Sequence, residues 1–69
     1  MDDRSSITAD TLELLHLNQI AIRAGLEELS LWIGQRGSTN VHDNMLSILQ
    51  TLDTNAEAIA SGIRSLRSV

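Results

Sequence analysis

Sixty-nine residues without a cysteine exclude a disulfide scaffold and a thiolate metal site, and so short a chain has trouble burying enough apolar surface to stand alone. Hydrophobic residues make up 42%, proline is absent and one tryptophan is the whole aromatic content, which suits long uninterrupted helices and gives strands little support. The formal net charge of −4, with arginine as the only cationic residue type besides histidine, disfavours a phosphate backbone as partner, because affinity there comes from clustered cations.

Residues 1–7, "MDDRSSI", read as a frayed polar lead before a single domain spanning 8–69. This acidic start lacks the basic opening and apolar run of a signal peptide, and no apolar stretch approaches the roughly 20 residues that cross a bilayer, so the expected location is the cytoplasm. Asp10 and Glu13 then have capping-box spacing and predict a helix start. From there Leu12, Leu15, Gln19, Ile22, Leu26, Leu29 and Ile33 alternate spacings of three and four, which predicts helix 1 over about 10–34.

The stretch "GQRGSTN" over 34–40 carries two helix-ending glycines followed by three residues able to cap a new helix. Helix 2, expected over about 40–67, continues the seven-residue register through His42, Met45, Leu49, Leu52, Ala56, Ile59, Ile63 and Leu66. A loop this short forces an antiparallel hairpin. Reflection about it pairs Ile33 with Val41, Leu29 with Met45, Ile22 with Leu52, Leu15 with Ile59 and Leu12 with Ile63, and sets Gln19 against Ala56 near the middle.

Two helices alone leave both stripes half open to water. The expected fold is therefore all-α, a hairpin that dimerises into a four-helix bundle. Its dimer core would draw Leu12, Leu15, Gln19, Ile22, Leu26 and Leu29 from helix 1, and Met45, Leu49, Leu52, Ala56, Ile59 and Ile63 from helix 2. Gln19 would be the polar core position that fixes register and oligomeric state at some cost in stability.

This pattern, from Asp10 to about Arg67, resembles the Rop-type fold of the repressor-of-primer family, short helical hairpins that dimerise into four-helix bundles with strict heptads. The resemblance implies the fold and, as an alternative function, an RNA-binding regulator. That activity uses basic and polar residues along helix 1, where this chain offers only Arg23, with Arg36 in the loop, so no RNA-binding residues carry over.

Helix 1 is apolar on nearly opposite sides. Ser30, Arg23, His16 and Glu27 form a narrow polar sector beside the core stripe, and beyond it lie Leu14, Leu17, Ile20, Ala21, Ala24, Leu31 and Trp32. Helix 2 shows mainly Ser, Thr, Asn, Asp and Glu away from its stripe, with Ala58 as the apolar intrusion. A wide bundle arc would take Leu14, Trp32 and Leu17 into the core flanks. A partner-binding groove would instead use Leu17, Ile20, Ala21, Ala24, Gly25, Leu31 and Trp32, with Ala21 and Gly25 one turn apart to admit another backbone.

Catalytic and metal chemistry find little footing. Glu13 and His16 have the carboxylate and histidine spacing of di-iron bundles, but both lie off the core ladder and helix 2 has no inward glutamate. His42 reads as a half-exposed packing residue in the first turn of helix 2, and no serine or threonine has a base with an orienting acid. Trp32-Ile33-Gly34 resembles the WxG element of small secreted helical-hairpin proteins, although the tyrosine-based export signal of that family is absent; Trp32 is expected to cap the bundle end. Arg64 and Arg67 complement the helix 2 dipole and should lie near Asp10 and Glu13. The expected function is a non-catalytic, homodimeric protein-interaction module (regulator, adaptor or chaperone) without cofactor or metal, meeting another protein through helix 1.

Overall fold

The computed structural model describes residues 3–68, which form two helices, α1 (Asp3–Gln35) and α2 (Thr39–Arg67). The molecule extends over 52 × 15 × 10 Å, close to the ~50 Å that 33 residues reach at 1.5 Å each. Arg67 at the end of α2 bonds Asp10 and Glu13 near the start of α1, so the hairpin is antiparallel.

The turn follows from Gly37, whose φ of +96° lies in the left-handed region that side chains other than glycine's rarely enter. Its N–H bonds the carbonyl of Gly34 at 3.1 Å, and the N–H of Ser38 reaches back to Ile33 at 3.3 Å. This double closure is a Schellman end that satisfies the last carbonyls of α1. Ser38 then occupies the N-cap of α2, although its side chain makes no capping bond.

The start of α1 departs from the sequence-based expectation. The helix begins at Asp3, and of the expected frayed lead, Met1 and Asp2 lie outside the described residues while Asp3 to Ile7 are helical. Nothing between Asp3 and Asp10 breaks a helix, and Ala9 is fully buried in the seam, which rewards the extra turns. Asp10 and Glu13 are thus interior positions, and their carboxylates meet Arg67 at 2.9 and 2.8 Å instead of forming a capping box.

The register on α2 runs along the expected line: Leu49 and Ile63 are buried, and His42, Met45, Leu52, Ala56 and Leu66 are half-buried. On α1 the line of contact is displaced. Gln19, Leu26 and Ile33 are half-buried and Leu12 is nearly so, but the second row turned toward α2 is Ala9, His16, Arg23 and Ser30. Leu15, Ile22 and Leu29, expected as full core layers, are 59%, 57% and 53% exposed in the hairpin. Two helices touch along one line only, so a residue one heptad row to the side of that line points past the neighbour.

Candidate functional site

The seam between the helices has two unlike edges. On one, Arg23 grips Asp53 with a two-pronged fork, Nε to Oδ1 at 2.8 Å and Nη2 to Oδ2 at 3.0 Å, while its Nη1 also meets Glu27. Arg67 is shared between Asp10 and Glu13 one end further on. The hydrogen bond to Asp53 is the main cause that raises the pKa of Arg23, and the bond to Asp10 does the same for Arg67. Arg64, also expected near those acids, lines a cleft of about 250 Å³ with Glu13, His16 and Arg67.

At the turn end the same edge is tied by a histidine. His42 Nδ1 lies 3.0 Å from Ser30 Oγ and 3.1 Å from the Ser30 carbonyl, and because a carbonyl can only accept, the proton on Nδ1 is the donated one. Ser30 is 1% exposed, and the His42 ring rests on Gly34, where an added Cβ would come within 3.2 Å of Cγ. His42 is therefore a structural link between helices. His16 faces α2 in the cleft with Ala60 and Ile63, its Nδ1 buried without a hydrogen-bond partner among the described residues. Glu13, which has the carboxylate spacing of a di-iron bundle relative to His16, is held by Arg67, and among the described residues no three metal-ligating side chains converge.

The opposite edge carries no charge along the paired helices. From Thr8 to Trp32 on α1 its two rows hold Thr8, Leu15, Ile22 and Leu29, then Thr11, Asn18, Gly25 and Trp32. On α2 they hold Met45, Leu52, Ile59 and Leu66, then Val41, Ile48, Asn55 and Gly62. Beside Leu29, the absent side chain of Gly25 leaves a shallow depression walled by Trp32 and Glu28. Trp32 is half exposed, with the Arg36 guanidinium stacked 4.6 Å from its ring centre.

The structure divides the expected partner-binding set. Leu17 and Ala24 lie on the outer face of α1, turned away from α2, with Leu14 and Ala21 in the adjoining row; Leu31 continues that line but borders the ion-paired edge, where it lines a cleft of about 220 Å³ with Ser30, His42, Leu46 and Asp53, and Leu14, Leu17 and Leu31 are each more than half exposed. Gly25 and Trp32 belong to the uncharged edge, and Ile20 borders the ion-paired one, lining a small cavity with Gln19, Arg23 and Asp53. The outer residues form a second heptad line, Ile7, Leu14, Leu17, Ala21, Ala24 and Leu31, interrupted by Asp10 and Glu28.

What sequence reasoning missed is the row Ala9, His16, Arg23 and Ser30. Its signal was charge phase: Arg23 and Asp53, like Asp10 and Arg67, fall at matching levels of an antiparallel pair, whereas apolar periodicity discounts such a row. No helix among the described residues is long and apolar enough to cross a membrane. Comparison with protein-family models, with curated proteins and with solved structures gives no match for this chain.

Proposed function

We propose that this chain is a non-catalytic protein-interaction module of the cytoplasm, a homodimer that regulates, adapts or chaperones another protein through the outer face of α1. The observation that carries the reading is the outer heptad line of α1, with Leu14 and Leu17 exposed on the side that α2 does not touch and Leu31, also exposed, at the rim of the seam. A regular apolar line on a solvated helix face is costly in water and fits the groove of a partner helix. The likeness to Rop-type hairpins supports the dimer. RNA binding is disfavoured by the acidic rim, where each of two arginines is shared between two carboxylates.

The test separates partner capture from self-association. Sedimentation equilibrium gives the oligomeric state, and affinity capture compares the parent chain with Leu17→Glu and Leu31→Glu. The expected result is an unchanged dimer with a specific co-purifying protein lost in both variants. If the same protein is captured at equal yield by both folded variants, the outer face is not its site.

A further inference from the structure

We infer that the second copy docks on the uncharged edge of the seam, so that the dimer closes over Leu15, Ile22 and Leu29 of α1 and Met45, Leu52 and Ile59 of α2. This rests on the homodimer reading and gives the dimer a location. Three observations converge on it.

The first is area. A compact monomer of 7.5 kDa exposes about 4,250 Å² by the usual size scaling, whereas the hairpin exposes 5145 Å². The excess of about 900 Å² is close to the ~800 Å² that each partner contributes to a standard interface. Among described residues the buried apolar side chains are Ala9, Leu49 and Ile63, too few to hold 66 described residues folded by themselves.

The second is charge. Docking between identical copies sets like surfaces against each other. The ion-paired edge would oppose clusters in which one guanidinium is outnumbered by two carboxylates, and the outer face of α1 would oppose its own Asp10 and Glu28. The two rows of the remaining edge carry no charge from Thr8 to Trp32 or from Val41 to Leu66, with Glu28 at their border beside Gly25, and depletion of charge is what marks the centre of an interface.

The third is the middle of the hairpin. Gln19 and Ala56 line one small cavity, and their chain neighbours Asn18 and Asn55 stand exposed on the uncharged edge at that level. A two-fold stacking on this edge brings that amide belt against its own copy, where amides can both donate and accept. A belt of that kind selects one register of stacking.

Sedimentation equilibrium of Ile22→Lys and Leu17→Lys, beside the parent chain, tests the location. Ile22→Lys puts two buried charges into each dimer and should weaken it by at least about 100-fold, while Leu17→Lys on the outer face should stay within about threefold. A dimer lost in Leu17→Lys and kept in Ile22→Lys overturns the location but leaves the homodimer standing. A parent chain that is monomeric at every concentration overturns both. Because a charged variant could unfold with its dimer, alkylation of Ile22→Cys and Ala24→Cys by iodoacetamide supplies a milder probe in a chain that has no other thiol. Raising the concentration through dimer formation should slow the Ile22→Cys reaction by about tenfold or more and leave Ala24→Cys unaffected. Equal protection at both positions, or protection at Ala24→Cys alone, overturns the proposal.

Discussion

At the scale of single residues, Gly37 and Gly34 do different work within one turn. Gly37 holds a φ of +96° with open space around its Cα, so a methyl group there meets backbone strain and no neighbour. Gly37→Ala should therefore cost about 1 kcal/mol and lower the melting temperature by about 4–8 °C, as read by circular dichroism at fixed protein concentration. Gly37→Asn should lose less, because asparagine tolerates the left-handed region. An alanine variant melting with the parent would mean that the turn has another way to close. Gly34 has ordinary backbone geometry, and an added Cβ would instead press on the His42 ring and disturb its bond to Ser30. The arginines of the charged edge act electrostatically: the bonds to Asp53 and Asp10 raise the pKa values of Arg23 and Arg67, so with their carboxylate partners ionised folding favours the charged guanidinium, and on the alkaline side that contribution is lost as pH rises through the arginine range. Salt, which screens these exposed pairs, is the variable that will expose them, and pH near neutrality is not.

At the scale of helices, Gln19 shows what one polar residue does inside an apolar line. It is half-buried between Leu12 and Leu26 on the row facing α2, and it lines a cavity of about 40 Å³ with Leu52 and Ala56. Gln19→Leu removes a partly desolvated amide and fills that space, so thermal stability should rise by about 1–2 kcal/mol, while the proposed dimer should lose part of its definition in sedimentation because the middle level keeps only the amides of Asn18 and Asn55. Unchanged stability would place the amide in water. The same helices show why α2 was legible in the sequence and α1 only partly so. Serines, threonines and asparagines fill most of the outward side of α2, and Leu49 and Ile63 are buried on its stripe, although a one-sided reading leaves out Leu46 and Ile48, which stand exposed on the flanks with Val41. Helix α1 offers apolar rows on three sides, so periodicity alone does not choose among them. The choice falls to Arg23 and His42, whose bonds to Asp53 and Ser30 rotate the contact line toward a row that hydropathy ranks last. Its start was misread for a related reason: the capping pattern at Asp10 and Glu13 is local and says nothing of Ala9, whose burial against α2 extends the helix back to Asp3.

At the scale of the whole molecule, a 52 Å hairpin 10 Å thick has almost no interior, and its folding should be inseparable from association. Helix propensity does not supply the missing stability, because most helical stability in proteins comes from packing an amphipathic face. In the proposed dimer, burial between copies supplies it, and melting should then obey mass action. For a dimer of two such chains the unfolding enthalpy is on the order of 100 kcal/mol, so a hundredfold rise in concentration should raise the melting temperature by about 10 °C. Calorimetry or circular dichroism over that range reads the slope directly. A melting temperature independent of concentration would mean that the single hairpin carries its own stability, and the exposed leucine and isoleucine rows would then have to be explained by a partner other than the chain itself. The expected slope makes folding and association one process, and with the second copy on the uncharged edge the outer line through Leu14 and Leu17 remains for another protein to meet.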